Sequence, residues 1–453
     1  MTNEDRRPDD PGQLTLDDLL SLDDAPSASP DDPKLARRRR RGAIVSALVV
    51  VTVLALVAGY VSLALTAPVA MPAAVTRDPV VSQPPAVRMI VPEEGVTGIR
   101  ISGGDDYLGD APRWLTAGDG APRPIASITK VITALVVLDR HPLTDGDDDG
   151  PTLRFSRADH ALYDEYYVKG ATIAAMPTGS TMTQRDALEM MLVISASNYA
   201  DAVATWAFGS RWAFVEAARS WLAENGLDET TIVEPTGIDP RNTSTPADMV
   251  ALGELAMAHP VVAEIVAMPA LEVDGFSGAN TNTALGHDGI RGVKTGTLTA
   301  SGVNLLFSSL LDVGIGEPLE VTGVVLGGDH RTGVDAEVSR ALASIRAGFR
   351  NVAVASAGNE VGTVTAAWGS SASLVLARDA TVFAWSDTPV TATLAMTGVR
   401  TGRVGEKVGT VTFVTDAPGD AVRSDTVDVI LDADIEPPDT WWRLTNPASL
   451  WGG

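Results

Sequence analysis

Between Gly42 and Thr66 the chain is apolar without a break, GAIVSALVVVTVLALVAGYVSLALT, and these 25 residues carry no charge. At about 1.5 Å per residue, a helix of that length crosses the ~30 Å hydrocarbon core of a bilayer. Five arginines, Arg37 to Arg41, stand directly before the run, and no basic block follows it. That asymmetry predicts a membrane anchor with a cytoplasmic N-terminus and an extracytoplasmic remainder. Small residues around Thr66-Ala67-Pro68 leave a cleaved signal peptide as the rival reading. Against it stand the length of the apolar run and the acidic leader that precedes it.

Elsewhere the patterns are shorter. Residues 1–33 are rich in Asp, Pro and Ser, a disordered composition, and with the arginine block they make a leader, 1–41. Prolines punctuate 67–92, which reads as an extended linker. From 93 to 352 helical and strand periodicities alternate, predicting an α/β or α+β domain. Helices are expected at 127–139, 184–194, 198–207, 211–225 and 246–258, and strands at 290–297, 302–310 and 320–327. From 353 to 435, stretches such as VGTVTAAW, TPVTATLAM and TVDVILDADI alternate or run apolar between Gly, Asp and Pro, the pattern of a small antiparallel β-sandwich. The tail, 436–453, holds Trp441, Trp442 and Trp451. They can meet a membrane interface or dock on a neighbouring domain, and the lack of an amphipathic helix favours docking.

Length and composition narrow the function. The 453 residues have room for two or three cores, and 45% apolar residues is ordinary for a folded chain. With 58 acidic against 34 basic residues the net charge is −24, which argues against a nucleic-acid partner. Without cysteine there is no disulfide, thiol catalysis or Cys-ligated zinc. The five histidines lack metal-ligand spacing, and no glycine-rich phosphate loop follows a strand. The run DGDDDG at 145–150 matches the start of a calcium loop at Asp145, Asp147, Asp149 and Gly150, but Ser156 stands where a bidentate Glu is needed. It reads as a solvated acidic loop, and no metal or cofactor is expected.

Three stretches carry candidate chemistry. In SITK, Ser127 and Lys130 lie one helical turn apart, so the lysine amine can take the serine proton if it is kept neutral. Burial and a second cation both lower a lysine pKa. In GVKTGTL, Lys294, Thr295, Gly296 and Thr297 lie on a strand and offer a cation, hydroxyls and a residue that admits close backbone approach. Lys294 can hold Lys130 neutral and, with the threonines, grip a carboxylate; the N–H groups of Thr297 and Ser127 can form an oxyanion hole. In MLVISASNYAD, Ser195 and either Ser197 or Asn198 can point into a cleft between two helices, or merely cap one. Singly, each stretch reads as a helix start, a turn or a cap.

In this order and spacing the three resemble the S-x-x-K, S-x-N and K-T-G motifs of penicillin-interacting serine enzymes. With VEPTGIDPRNTSTPADMVALGELA at 233–256 and TNTALGHDGIRGVKTGTLTASG at 281–302, residues 93–352 resemble the D-alanyl-D-alanine carboxypeptidases, the low-molecular-mass penicillin-binding proteins. The resemblance implies a serine β-lactamase/transpeptidase-like α/β fold with Lys294 to Thr297 on the strand edging the cleft, and a small β domain behind it. It also implies that Ser127 attacks the D-Ala-D-Ala bond of peptidoglycan stem peptides, with Lys130 as base, and that β-lactams acylate the same serine. Endopeptidases that cut D,D cross-bridges use the same site, and a non-catalytic penicillin-binding sensor would keep the fold. No glutamate-bearing loop stands out between the second and third motifs, which argues against a class A β-lactamase. The second motif departs from the pattern: ungapped, Ser195 fills the Ser slot and Ser197 the Asn slot; shifted by one, Asn198 returns and Ala196 replaces the serine. Preserved helical phase favours the ungapped register.

Overall fold

The computed structural model of the chain describes residues 33–109, 111–144, 148–416 and 423–450. Most of the expected leader, with Asp145, Asp147 and Trp451, lies outside the described residues. Pro33–Thr66 is one helix, α1; a window of it has mean hydropathy 2.6 and none of it buried, so length and composition make it a candidate bilayer span.

A five-stranded antiparallel sheet forms the centre of the next domain. Its strands are β1 (Val96–Ser102), β2 (Trp114–Ala117), β3 (Ile290–Leu298), β4 (Gly302–Leu311) and β5 (Leu319–Gly328), in the order β3-β4-β5-β1-β2. Strands β3 to β5 are buried along nearly their whole length, as expected where both faces are covered. On one face Val293, Leu306, Val324 and Leu326 pack into the larger apolar cluster. That layer contains α2 (Thr129–Arg140), α3 (Ser197–Phe208) and α4 (Pro246–Ala258), with helices at Gln184–Leu192 and Arg211–Glu224. On the other face Ile99, Leu305, Phe307 and Val321 meet Val334, Val338 and Leu342 of α5 (Arg331–Gly348). Burying each such side chain contributes roughly 1.5–3 kcal/mol, so the two faces fix β3 as an edge strand of a three-layer α/β/α domain.

The five expected helices and three expected strands are all present, 246–258 with the expected ends and the others shifted by one or two residues. Expected helix 127–139 begins as a 3₁₀ turn at Ala126–Ile128 and becomes α-helical only at Thr129. Ser127 therefore stands in the turn before the helix. Helices Arg157–Tyr167, Pro260–Ala267 and α5 were not expected. The first starts in a capping box of Ser156 and Asp159, which gives Ser156, the residue at the glutamate position of a calcium loop, a local structural role.

The C-terminal β region is a six-stranded antiparallel sheet, Ala73–Thr76, Glu360–Thr365, Ser371–Leu376, Ser424–Leu431, Lys407–Thr415 and Val390–Met396 in spatial order. A second pair, Phe349–Ala355 with Ala380–Trp385, closes a shared core that includes Leu374, Val411 and Phe413. Two differences from the sequence reading concern its borders. The stretch read as an extended linker, 67–92, is extended and also bound: Ala73–Thr76 is an edge strand, and the Val87 and Ile90 N–H groups donate to the Ser386 and Ser344 hydroxyls at 2.8 Å. Prolines bar a helix there but leave backbone donors that need partners. The β region also starts earlier than 353, at Phe349, directly where α5 ends. In the tail, α6 (Thr440–Thr445) packs on α1, and Trp442 meets Trp368 at 5.7 Å between ring centroids.

Candidate active site

The 3₁₀ turn that carries Ser127 is held from three sides. Ala126, its first residue, has φ 48°, a conformation that a non-glycine residue adopts only under constraint. The Ile125 N–H donates to the Asn242 carbonyl at 3.0 Å, and the Asn304 amide donates to the Pro124 carbonyl at 3.0 Å. Gly237 lies against the turn so closely that a Cβ there would sit 1.8 Å from the Ala126 carbonyl oxygen. From the sheet side comes Gly296, where a Cβ would meet the Ile125 carbonyl oxygen at 2.9 Å and the Ser127 nitrogen at 3.0 Å. The glycine of the K-T-G strand is thus the residue that lets β3 reach the Ser127 turn.

Lys130, in the first turn of α2, is fully buried. Its Nζ donates to Ser127 Oγ at 2.8 Å and to the Thr236 carbonyl at 2.8 Å. Burial lowers its pKa to about 7, while the Glu234 charge opposes that shift. Lys294 of β3 is also buried, donating at 3.2 Å to Thr281 Oγ1 and to the Thr295 carbonyl. Burial, then the Lys130 charge, then that of Arg331 hold it well below the ordinary lysine range. Lys294 was expected to keep Lys130 neutral; for Lys130 itself the cause is burial.

The second motif separates its three residues. Ser195 follows the Gln184–Leu192 helix with φ 68°, and Ser197 opens α3; both side chains are buried. The cap position of α3 is Ala196, which makes no side-chain cap hydrogen bond, so the motif is not a capping cluster. Asn198 is fully buried with its amide bonded to one residue, accepting from the Ala174 N–H at 3.1 Å and donating to the Ala174 carbonyl at 2.8 Å. Those bonds, with the Tyr199 hydroxyl on the Ala175 carbonyl at 2.7 Å, tie α3 to the 172–175 segment. Asn198 is therefore occupied as a tether.

Three further residues belong to the site. Thr281 bridges the third motif, accepting from Lys294 and from the Thr295 hydroxyl at 2.9 Å. Arg331, at the start of α5, donates from Nη2 to Thr297 Oγ1 at 2.9 Å, and its buried Nη1 has no partner among the described residues. Neither has a local signal, because each acts across a long sequence separation; Thr281 stands only within the longer 281–302 resemblance. The third is Glu234. It stands on the loop between the second and third motifs, and its carboxylate is taken up by the loop's own donors at Thr236 and Gly237.

A serine in a strained turn, a buried lysine against it and a K-T-G edge strand over a three-layer sandwich define a domain of the serine β-lactamase/transpeptidase-like class. The family model described as D-alanyl-D-alanine carboxypeptidase matches residues 114–329. The match takes in a little under half of the chain. Among curated relatives, the D-alanyl-D-alanine endopeptidase of Pseudomonas aeruginosa is 32% identical over 31% of this chain and 42% of its own length. The D-alanyl-D-alanine carboxypeptidase DacD of Escherichia coli is 26% identical over 55% of this chain and 64% of its own. The chain thus spans roughly two-fifths to two-thirds of these relatives. The crystal structure of penicillin binding protein 5 from Haemophilus influenzae aligns with TM-score 0.49 and 18% identity, covering 77% of this chain and 98% of that one.

Proposed function

We propose that the protein is a membrane-anchored serine D,D-carboxypeptidase that removes the terminal D-alanine of peptidoglycan stem peptides. The observation that carries this reading is the 2.8 Å contact between Ser127 Oγ and the Nζ of a buried lysine poised near neutrality. Neutral Lys130 accepts the Ser127 proton as Oγ bonds to the carbonyl carbon between the two D-alanines. The lysine then returns that proton to the departing D-alanine nitrogen as the C–N bond breaks. Water then attacks the resulting ester and gives its proton to Lys130, which passes it to Ser127 Oγ as the acyl C–O bond breaks. Arg331, which donates to Thr297 Oγ1, provides the cation, and Lys294, Thr295 and Thr297 provide hydrogen-bond donors, that suit the substrate's terminal carboxylate. The Ser127 and Thr297 amides at the turn and strand edge are the expected oxyanion donors. β-Lactams would acylate the same serine and leave the ester slow to hydrolyse. The apolar α1 after an arginine block suits an anchor with the catalytic domain outside the cytoplasm.

The endopeptidase reading keeps a specific support: the relatives at 31–32% identity are named D-alanyl-D-alanine endopeptidases, although the matched segments are short. Full-length protein in detergent, given a pentapeptide ending in D-Ala-D-Ala and a D,D-cross-linked dimer, separates the two. Release of D-alanine from the pentapeptide with the dimer intact is the expected result. Cleavage of the dimer alone would assign the endopeptidase, and covalent penicillin labelling without turnover of either peptide would assign a sensor.

A further inference from the structure

Glu234 is two residues from the carbonyl that takes Lys130's second hydrogen bond. Its carboxylate accepts from the Thr236 N–H at 2.8 Å, the Thr236 hydroxyl at 2.7 Å, the Gly237 N–H at 2.6 Å and the Asn242 amide at 3.0 Å. Every partner is a donor and all lie between Thr236 and Asn242, so the carboxylate is the acceptor that gathers this loop. The same turn is fastened to α2. Thr133 Oγ1 donates to the Pro235 carbonyl at 2.7 Å, and the Asn242 amide also donates to Thr129 Oγ1 at 3.1 Å.

We propose, resting on the acyl-transfer reading above, that Glu234 is a positioning residue for Lys130: it shapes the turn that presents the Thr236 carbonyl to the amine and faces that amine with a carboxylate charge. Bound between the Ser127 hydroxyl and the Thr236 carbonyl, the amine has its direction fixed. The charged and titratable groups around it come from several elements. Glu234 comes from the loop, Lys294 from β3 and Arg331 from α5 behind it. Tyr166 of the Arg157–Tyr167 helix also feels Glu234, but donates to Asp201, which is paired with Arg211. Burial depresses Lys130 and Glu234 opposes the depression, leaving the amine at about 7. Burial unopposed would leave a neutral but weaker base, and proton transfer is best served by a base whose pKa lies near the working pH.

The test is the rate of Ser127 acylation by a fluorescent penicillin from about pH 5 to about pH 9, for the full-length protein and three variants. Glu234→Gln removes the charge and is expected to move the acid limb to lower pH by at least ~0.5 unit and to lower the plateau. Asn242→Ala loosens the same turn without removing the charge, and is expected to lower the plateau with the limb unmoved. Glu234→Asp keeps the charge on a shorter arm, and is expected to hold the limb while the plateau falls. An unmoved limb in Glu234→Gln overturns the proposal. If that variant fails to fold, a limb that moves down in Glu234→Asp overturns it instead. A wild-type protein that does not label on Ser127 refutes the acyl-transfer reading itself, an outcome distinct from these.

Discussion

At the scale of single residues, the pair Ser127 and Lys130 was legible because both partners lie within four positions, where helical geometry places them together. What tunes them was not. Glu234, Thr281 and Arg331 reach the site from 104, 151 and 201 residues beyond Lys130, and no periodicity announces such contacts. The second motif shows the same limit: Asn198 reads as a candidate for the cleft, yet its amide is spent on Ala174. Asn198→Ala is accordingly expected to act through stability. It leaves a backbone N–H and carbonyl unpaired in the interior, which costs about 1–3 kcal/mol. Thermal unfolding should show a lower Tm, with penicillin labelling retained well below it; loss of labelling at unchanged Tm would contradict this. For Lys130→Met, loss of the base is expected to slow acylation by ~10²–10⁴-fold. In the wild type the sign follows from the depressed lysine: below about 7 the amine is protonated and cannot accept the serine proton, so acylation falls as pH drops through that value. Because Lys130 and Lys294 interact, the midpoint belongs to the pair.

At the scale of elements, helices and strands with strong periodicity were found to within a few residues, whereas α5 was missed because its apolar positions are diluted by Ser, Arg and Gly. The turn before α2 was also hidden. Its shape depends on Gly237 and Gly296 pressing on it from a distant loop and strand, so local pattern extends the helix back over Ser127. Gly237→Ala is expected to displace the Ala126 carbonyl and abolish labelling of Ser127, since the new Cβ would lie 1.8 Å from that oxygen and φ at 237 is +85°. A labelling rate within a few-fold of wild type would refute the role assigned to this contact. At the other end of the chain, Arg443 donates to the carbonyls of Ala64, Leu65 and Ala67, partners that satisfy the open C-terminus of α1. Arg443→Ala should speed hydrogen exchange in 60–69 and 440–450 and leave α2 unchanged.

At the scale of the whole molecule, composition and texture separated the apolar span, the α/β domain and the β-rich region. How those parts are fastened together was not legible. The segment read as a spacer binds into the C-terminal sheet and against α5, and the tail returns to the end of α1. These contacts join residues hundreds of positions apart, and alternating or proline-broken sequence does not specify the partner of an edge strand. Anchoring carries its own expected outcome. In sealed vesicles formed from cells, a tag at the N-terminus should be cleaved only by protease on the cytoplasmic side, and the catalytic domain only by protease on the other side.

The central claim is that Ser127 is the acylated nucleophile and Lys130 its base. The most direct measurement is mass spectrometry of the full-length protein after reaction with benzylpenicillin, with peptide mapping of the adduct at several pH values. One penicilloyl group on Ser127, absent from Ser127→Ala and forming more slowly as pH falls through about 7, is the expected result. No adduct on the wild type, or an adduct that persists in Ser127→Ala, would contradict it.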